Sequence, residues 1–584
     1  MLADQDLLSI QEVRDKVEKV FAAWQRYRAY PQEKIDAIVE HVAAAARAHS
    51  ERLAALAVEE TGYGNARDKH LKNLLAAEVL PRRMRGLKTV GVLREFPEEK
   101  VVEIGVPVGV VAAILPTTNP TSTAIYKSLI CLKSGNGIVI SPHPRARSCT
   151  CATAAMLAEA ALAAGAPEGI LECTDGATLE GTQALMRHDR VSLILATGGM
   201  GIVKAAYSSG KPALGVGPGN VPALIDTSAD VEEAVAKVVA GKSFDFGTVC
   251  SSEQAIVAEE SLRPRILAAL EALGAHLADE GQKAALAKLL ILPNWTVNPR
   301  CVGQSPQKIA QMAGFAIAPA APVICAAIEG VGKQHPLSAE KLSPVLSLLF
   351  VKDFAAALES CHALLKFGGL GHTAVIHARD EARIRQFGLS VPAMRVLVNT
   401  SSPQGSTGIT TNVFPAMTLG CGAAAGNATS DNIGPLNLIN IKRLAYEVRK
   451  PAEAFEKPLA LAKVAGAGAP NRATVAAAVE RYLAARGIGQ AETQIPATSA
   501  TAAEVVDRFL ARRGSSLQAK SPALPPDPSP QLPIVDFVSE ADVRAAIRQN
   551  RKIYIGPKTI VTPAARDLAE PSDILVMPGP EGTR

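Results

Sequence analysis

Short apolar runs alternate with helix-length amphipathic stretches from about residue 100 to about residue 420, and that alternation constrains the fold more than any other feature. Val106–Leu115 is a near-continuous apolar run that stops at the turn Pro116-Thr117-Thr118-Asn119-Pro120. Ser122–Leu132 then reads as a helix, Gly137–Ser141 as a strand and 148–164 as an Ala-rich helix. A strand near 170–173, a helix near 179–187 and the strand Val191–Ala196 follow. Strands with no polar face suit a parallel sheet covered on both sides. Strands alternating with helices give a doubly wound α/β sheet. The pattern resumes after residue 250, so two such domains are expected before about residue 455. Residues from about 10 to 80 read as long amphipathic helices.

The bulk numbers exclude several classes of function. With 48% hydrophobic and 20% charged residues, the chain has the make-up of an ordinary globular protein with a large core. A net charge of +5 over 584 residues gives no reason to expect nucleic acid or an anionic membrane as partner. No apolar run reaches the roughly 20 residues of a membrane span. Met1–Asp6 lacks the basic start and apolar stretch of a signal peptide, so a cytoplasmic location is expected. Nine irregularly spaced cysteines argue against a disulfide framework, and with no CxxC pair no metal site is expected.

The composition changes after about 455. Residues 464–473, 491–502 and 519–533 are rich in Gly, Ala, Thr and Pro and read as linkers. Between them two segments repeat each other, Val479–Gly487 and Val506–Gly514. Val475, Val479, Tyr482 and Leu483 share their i, i+4, i+7, i+8 spacing with Ala502, Val506, Phe509 and Leu510, so each segment carries one apolar helical stripe. Such helices are too short to stand alone in water. The tail 534–584 reads as a small module: a strand, a helix over Glu540–Asn550, the strand Lys552–Ile555, and then Thr559–Asp567, to which no chemistry attaches.

Four segments carry candidate chemistry. Thr117 and Asn119 lie at the carboxyl end of an apolar strand, where ligands collect in open α/β sheets. Ser141, Pro142 and His143 follow the next strand. Thr197, Gly198 and Gly199 form a glycine turn opening a helix whose N-terminus can face a phosphate. Cys250 follows a Gly-Thr turn and precedes the polar run Ser251-Ser252-Glu253-Gln254, the placement of a nucleophile presented by a loop rather than of a core thiol.

In this order the four segments resemble the aldehyde dehydrogenase superfamily, specifically its coenzyme A-acylating branch. They closely resemble the acetaldehyde dehydrogenase half of bifunctional aldehyde–alcohol dehydrogenases. Glu59–Gly64, Lys211–Asn220 and Thr418–Gly422 are similar to that branch as well, and the likeness covers about 10–455. No segment of the 584 residues reads as the iron-dependent alcohol dehydrogenase half of those enzymes, so that activity is not expected of them. The resemblance implies Cys250 as nucleophile, with Asn119 and the Cys250 backbone N–H donating to the oxyanion. It implies an NAD site built from Thr117, Ser141, Pro142, His143, Thr197, Gly198, Gly199, Gly215 and Glu340, with Glu340 on the nicotinamide ribose. The hydrolytic relatives carry a glutamate base where Gly215 stands, so a thioester on Cys250 is expected to survive until coenzyme A arrives. His143 and His372 read as having no catalytic role. The other eight cysteines read as having none.

The resemblance further implies a cofactor-binding domain over 1–226, with a strand arm from 88–105 and 436–447 that pairs subunits into a dimer or tetramer, and a catalytic domain over 227–435. The helices at about 474–487 and 501–514, within 456–533, resemble encapsulation peptides that dock enzymes to the shell or cargo proteins of bacterial microcompartments. The expected reaction is reversible oxidation of acetaldehyde or propionaldehyde to its acyl-CoA. An enzyme for a charged aldehyde such as sulfoacetaldehyde, or a non-catalytic microcompartment scaffold, stands as the alternative.

Overall fold

The computed structural model describes residues 4–176, 178–456, 477, 535–549, 551–569 and 574–576. The chain divides into two compact units, Met1–Leu461 and Ala462–Arg584.

Unit one opens with helices α1 (Gln5–Tyr27), α2 (Gln32–Ala48), α3 (Ser50–Thr61), α4 (Ala66–Leu74) and α5 (Leu80–Met84). Asp4 starts α1 by accepting the backbone N–H groups of Asp6 and Leu7. Val13, Val17 and Val20 form its buried stripe, packed on one face of the first sheet.

That sheet is parallel and has the order β5-β4-β3-β6-β7. Its strands are β3 (Val110–Ile114), β4 (Gly137–Ser141), β5 (Leu171–Cys173), β6 (Val191–Thr197) and β7 (Ala213–Val216). The connecting helices are α6 (Pro120–Lys133), α7 (Arg147–Ala163), α8 (Leu179–Arg187) and α9 (Met200–Tyr207). Every residue of β3 and β4 is buried, as layers on both faces require. The strand order reverses at β3, which opens a crevice at the carboxyl ends of β3, β4 and β6.

One apolar run proves to be two strands. Val106–Leu115 breaks at Gly109, whose φ is +134° and where a Cβ would come within 2.3 Å of Ser192 Oγ. The chain before the break belongs to an antiparallel arm of β1 (Gly91–Phe96), β2 (Val101–Pro107) and β15 (Ile439–Ala445), in the order β1-β2-β15.

The second sheet has the order β10-β11-β12-β9-β8-β13-β14. It comprises β8 (Val221–Ile225), β9 (Glu253–Glu259), β10 (His276–Leu277), β11 (Ile324–Ala327), β12 (Val345–Val351), β13 (Gly371–His377) and β14 (Ala393–Val398). Helix α10 (Val231–Ser243) joins β8 to β9. Strand β8 pairs with β9 and β13, so the chain enters the second sheet before residue 226, ahead of the boundary drawn from sequence. The chain later returns: Ala416, Met417, Leu419, Cys421, Ile433 and Leu438 are buried in the same core as the first sheet.

Unit two contains a parallel sheet of β16 (Val535–Val538), β17 (Ile553–Val561) and β18 (Leu575–Val576), with helices Glu540–Arg548 and Pro563–Ala569. Strand β17 is longer than the stretch Lys552–Ile555 and absorbs Thr559 to Val561. Val538, Val543, Ala546, Ala565, Ala569 and Ile574 form its core. The helices expected at 474–487 and 501–514 lie outside the described residues, Ala477 excepted. Among the described residues, no helix is long and apolar enough to cross a membrane, and no cluster of three His, Cys, Asp or Glu side chains could hold a metal.

Candidate active site

A cavity of about 640 Å³ occupies the crevice between the two sheets. Thr117 and Asn119 after β3, Ser141, Pro142 and His143 after β4, and Thr197, Gly198 and Gly199 after β6 line it from the first sheet. Thr248 and Cys250 before β9, and Glu340 and Leu342 before β12, line it from the second. Of the residues picked out by sequence, only Gly215 does not reach the wall. It sits on β7, where a Cβ would meet Val203 Cγ1 at 2.9 Å and Tyr207 Cε2 at 3.0 Å, so that position faces α9 and not Cys250. The wall at this point is Val216, Gly217 and Pro218.

Cys250 is half-buried in a turn between α10 and β9. The chain reaches it through Asp245 and Phe246, both left-handed with φ of 47° and 51°, followed by Gly247 at 72°. Non-glycine residues held at positive φ are strained, and strain of this kind gathers at functional sites. The segment 217–220 runs beneath the turn. A Cβ on Gly219 would come within 2.3 Å of the Cys250 carbonyl oxygen, so only glycine fits. The Gly219 N–H donates to Glu340 Oε1 at 3.1 Å, which ties the glutamate to the floor under the thiol.

The nearest polar partner of the thiol is one the sequence reading set aside. His372 Nε2 lies 3.3 Å from Cys250 Sγ, and His372 Nδ1 lies 3.0 Å from Thr373 Oγ1. The signal was the glycine run ahead of it, Gly368-Gly369-Leu370-Gly371. Gly371 has φ of +74°, and a Cβ there would come within 1.8 Å of Cys421 O. The Gly369 position leaves only 2.2 Å to Asn220 N. This turn seats the ring at the start of β13, and buried Arg395 holds the turn by donating to His372 O at 2.8 Å and Gly420 O at 2.6 Å.

Burial sets the protonation states. It pushes the Cys250 thiol up to about 12; Glu340 adds to the rise and Arg395 opposes it. It lowers His372 to about 3, with Arg395 adding to the fall. Thiol and imidazole are therefore both neutral at rest. Burial also raises Glu340 to about 8, against the Gly219 N–H and the Lys242 and Lys341 ammonium groups. Among the described residues, Glu340 is the one acidic side chain on the wall, and no Lys or Arg lines it.

The wall fits a dinucleotide. Gly199 caps α9 without a side-chain hydrogen bond to the first turn, and a Cβ on Gly199 or Gly201 would meet nothing within 4 Å. The first backbone N–H groups of α9 are thus open to an anionic group. Ser141 Oγ and Thr182 Oγ1 lie 3.0 Å apart beside it. His143 Nδ1 accepts the Arg145 N–H at 3.1 Å and starts a short 3-10 turn, which sets its ring at the rim.

The model of the aldehyde dehydrogenase family matches residues 2–283. Aldehyde-alcohol dehydrogenase 2 of Entamoeba histolytica is 42% identical over 456 residues, 76% of this chain and 52% of that one. The chain thus spans about half the length of the first such bifunctional relatives it matches. The sulfoacetaldehyde dehydrogenase (acylating) of Cupriavidus necator is 38% identical over 69% of this chain and 82% of its own. Among solved structures, an acetylating aldehyde dehydrogenase from Geobacillus thermoglucosidasius matches with a TM-score of 0.76 and 48% identity, over 77% of this chain and 99% of that one. A propionaldehyde dehydrogenase from the Clostridium phytofermentans fucose utilisation bacterial microcompartment matches with a TM-score of 0.68 and 28% identity, over 74% and 97%.

Proposed function

The chain belongs to the aldehyde dehydrogenase family, and from that premise we propose that it oxidises a short uncharged aldehyde with NAD and passes the acyl group through Cys250 to coenzyme A. The observation that carries this reading is the wall of the cavity. Among the described residues it holds the Cys250 thiol, which His372 contacts from behind, and the Asn119 amide, but no cation and no carboxylate that is ionised at neutral pH.

In this reading Cys250 Sγ attacks the aldehyde carbon and its proton passes to His372 Nε2. Asn119 Nδ2 and the Cys250 N–H donate to the oxyanion of the hemithioacetal. Thr117, Ser141, Pro142, His143, Thr197, Gly198, Gly199 and Glu340 would hold the dinucleotide, which would supply the hydride acceptor. Loss of hydride from the former aldehyde carbon leaves a thioester on Cys250. The thiol of coenzyme A then attacks the thioester and loses its proton to solvent, and the Cys250 sulfur leaves and takes back the proton held by His372, so that one proton is released per turnover. Water competes poorly, because Glu340 stays protonated through neutral pH and so is a poor base for activating it. On this reading the resistance to hydrolysis rests on the protonated Glu340 rather than on a base missing at Gly215.

The test is NADH formation with acetaldehyde, propionaldehyde and sulfoacetaldehyde, with and without coenzyme A. The expected result is strict dependence on coenzyme A and a kcat/KM for the uncharged aldehydes at least about 100-fold above that for sulfoacetaldehyde, since an anion would be desolvated against a wall without a cation. NADH formed without coenzyme A would show that water reaches the thioester. Preference for sulfoacetaldehyde would overturn the substrate class.

Assembly belongs to the same proposal. Strand β15 lies at the outer end of its sheet and is exposed from Asn440 to Ala445, an edge suited to pairing with a strand of a second copy. The likeness to a microcompartment propionaldehyde dehydrogenase supports a place inside such a compartment in the cytoplasm, with the repeated segments 474–487 and 501–514 docking to shell or cargo proteins. In sedimentation, the full chain is expected to run as a dimer or tetramer and to travel with shell proteins. Deletion of 471–515 is expected to keep the oligomer and lose the shell. Unchanged co-sedimentation would remove the docking role.

A further inference from the structure

Asn119 occupies the N-cap of α6, where an asparagine side chain ordinarily accepts an N–H from the first helical turn. Here it makes no such bond. Its Oδ1 accepts instead from Lys72 Nζ at 2.5 Å. An ammonium group has donors only, so this contact fixes which end of the amide faces the lysine. The oxygen is turned to Lys72 and the NH2 end is turned away from it. One amide hydrogen goes to Thr118 Oγ1 at 3.0 Å, which leaves the other for the cavity that Asn119 and Cys250 both line.

Lys72 is 3% exposed and projects from α4 into a cluster behind the nucleophile turn. Asp245 Oδ2 accepts from Lys72, from Lys69 Nζ at 3.1 Å and from Thr248 Oγ1 at 2.6 Å. Lys69 also donates to Thr118 O at 3.0 Å. Two buried lysines thus converge on one carboxylate, a costly arrangement if the purpose were stability alone. The lysine that does not contact the Thr118 carbonyl is set against the amide oxygen of Asn119. A cation there draws electron density from the amide and makes its N–H a stronger donor to a developing negative charge. Burial pulls the Lys72 ammonium down to about 8 and Lys69 adds to the fall, while Asp245 opposes it, so the charge persists at neutral pH.

We propose that Lys72 is a positioning residue that orients and polarises the Asn119 amide as the donor to the oxyanion formed at Cys250, with Asp245 holding the lysine in place. The proposal rests on the acyl-transfer reading above, and the experiment keeps the two apart. p-Nitrophenyl acetate acylates a cysteine through the same kind of oxyanion and needs neither aldehyde, NAD nor coenzyme A. The measurement is the burst of p-nitrophenolate from the full chain and its variants, beside NADH formation and NADH affinity.

Lys72→Met is expected to slow the burst by about 100-fold, as Asn119→Ala does, with NADH affinity unchanged. The double variant is expected to stay within about twofold of Asn119→Ala alone, because the lysine acts only through the amide. Lys72→Gln keeps an N–H for Asn119 Oδ1 and is expected to recover part of the rate; it carries the same cycle if the Met variant does not fold. Losses that multiply in the double variant, or a Lys72→Met burst within about twofold of the unaltered protein, would overturn the proposal. A burst without NADH from any aldehyde sinks the dehydrogenase reading and still decides the role of Lys72. No burst from the unaltered protein overturns both.

Discussion

Cys250→Ala is expected to remove NADH formation, with kcat reduced by at least about 10⁴-fold, while NADH affinity and melting temperature stay close to those of the unaltered protein. The two halves of this expectation have separate causes. All covalent chemistry in the reaction passes through one sulfur, so alanine removes the pathway rather than weakening it. The turn that presents the sulfur is held by its backbone: Gly219 packs under the Cys250 carbonyl, and the left-handed pair Asp245 and Phe246 is fixed by the cluster behind it. Truncating a half-buried side chain there leaves those contacts in place. Alkylation of the unaltered protein by iodoacetamide supplies the complementary result. Burial holds the thiol at about 12 beside a histidine lowered to about 3. The rate at Cys250 should therefore rise about tenfold per pH unit from pH 7 to pH 10, because only the thiolate reacts. A plateau near neutral pH would show a preformed thiolate–imidazolium pair and a different resting state.

Asp245→Asn is expected to cost about 3–5 kcal/mol of stability, the range for removing one partner of a buried ion pair. The substitution keeps the volume and leaves Lys69 and Lys72, each no more than 3% exposed, without their shared anion. Burial alone would raise the Asp245 carboxyl, but Lys72 and Lys69 outweigh it and hold it below the usual carboxylate range. A carboxyl depressed in the folded state contributes stability above its unfolded value of about 4 and loses that contribution as the pH falls through the folded value. The difference in denaturation midpoint between Asp245→Asn and the unaltered protein should thus be full at pH 7 and shrink in acid. A difference under about 1 kcal/mol at pH 7 would mean that the cluster rearranges around the neutral side chain.

What the sequence discloses about this site follows from how local each part is. Thr117, Asn119, Ser141, Thr197, Gly198 and Cys250 are legible because each belongs to a contiguous segment that ends a strand or opens a helix, and such segments converge in a doubly wound sheet. His372 is not, because its meaning depends on a contact with a residue 122 positions away. Lys69 and Lys72 are hidden for the same reason: on α4 they look like ordinary solvated cations, and only the tertiary fold shows the carboxylate they share 176 and 173 positions on. Gly215 is misread because the direction of a side chain at a strand end depends on the pleat, which a motif does not carry. The break at Gly109 is invisible to hydropathy, since the arm and the sheet on either side of it are equally apolar.

The cluster around Asp245 also has a mechanical consequence. Its anion hangs from the segment between α10 and β9, whereas its cations project from α4, which packs on α6 of the first sheet. The two halves of the cleft are thereby riveted directly behind the reacting atoms. A tie at this point resists separation of the two walls where sulfur and amide face the cavity, and leaves the outer rims of the cleft as the place where the walls are freer to part for a ligand the size of a coenzyme.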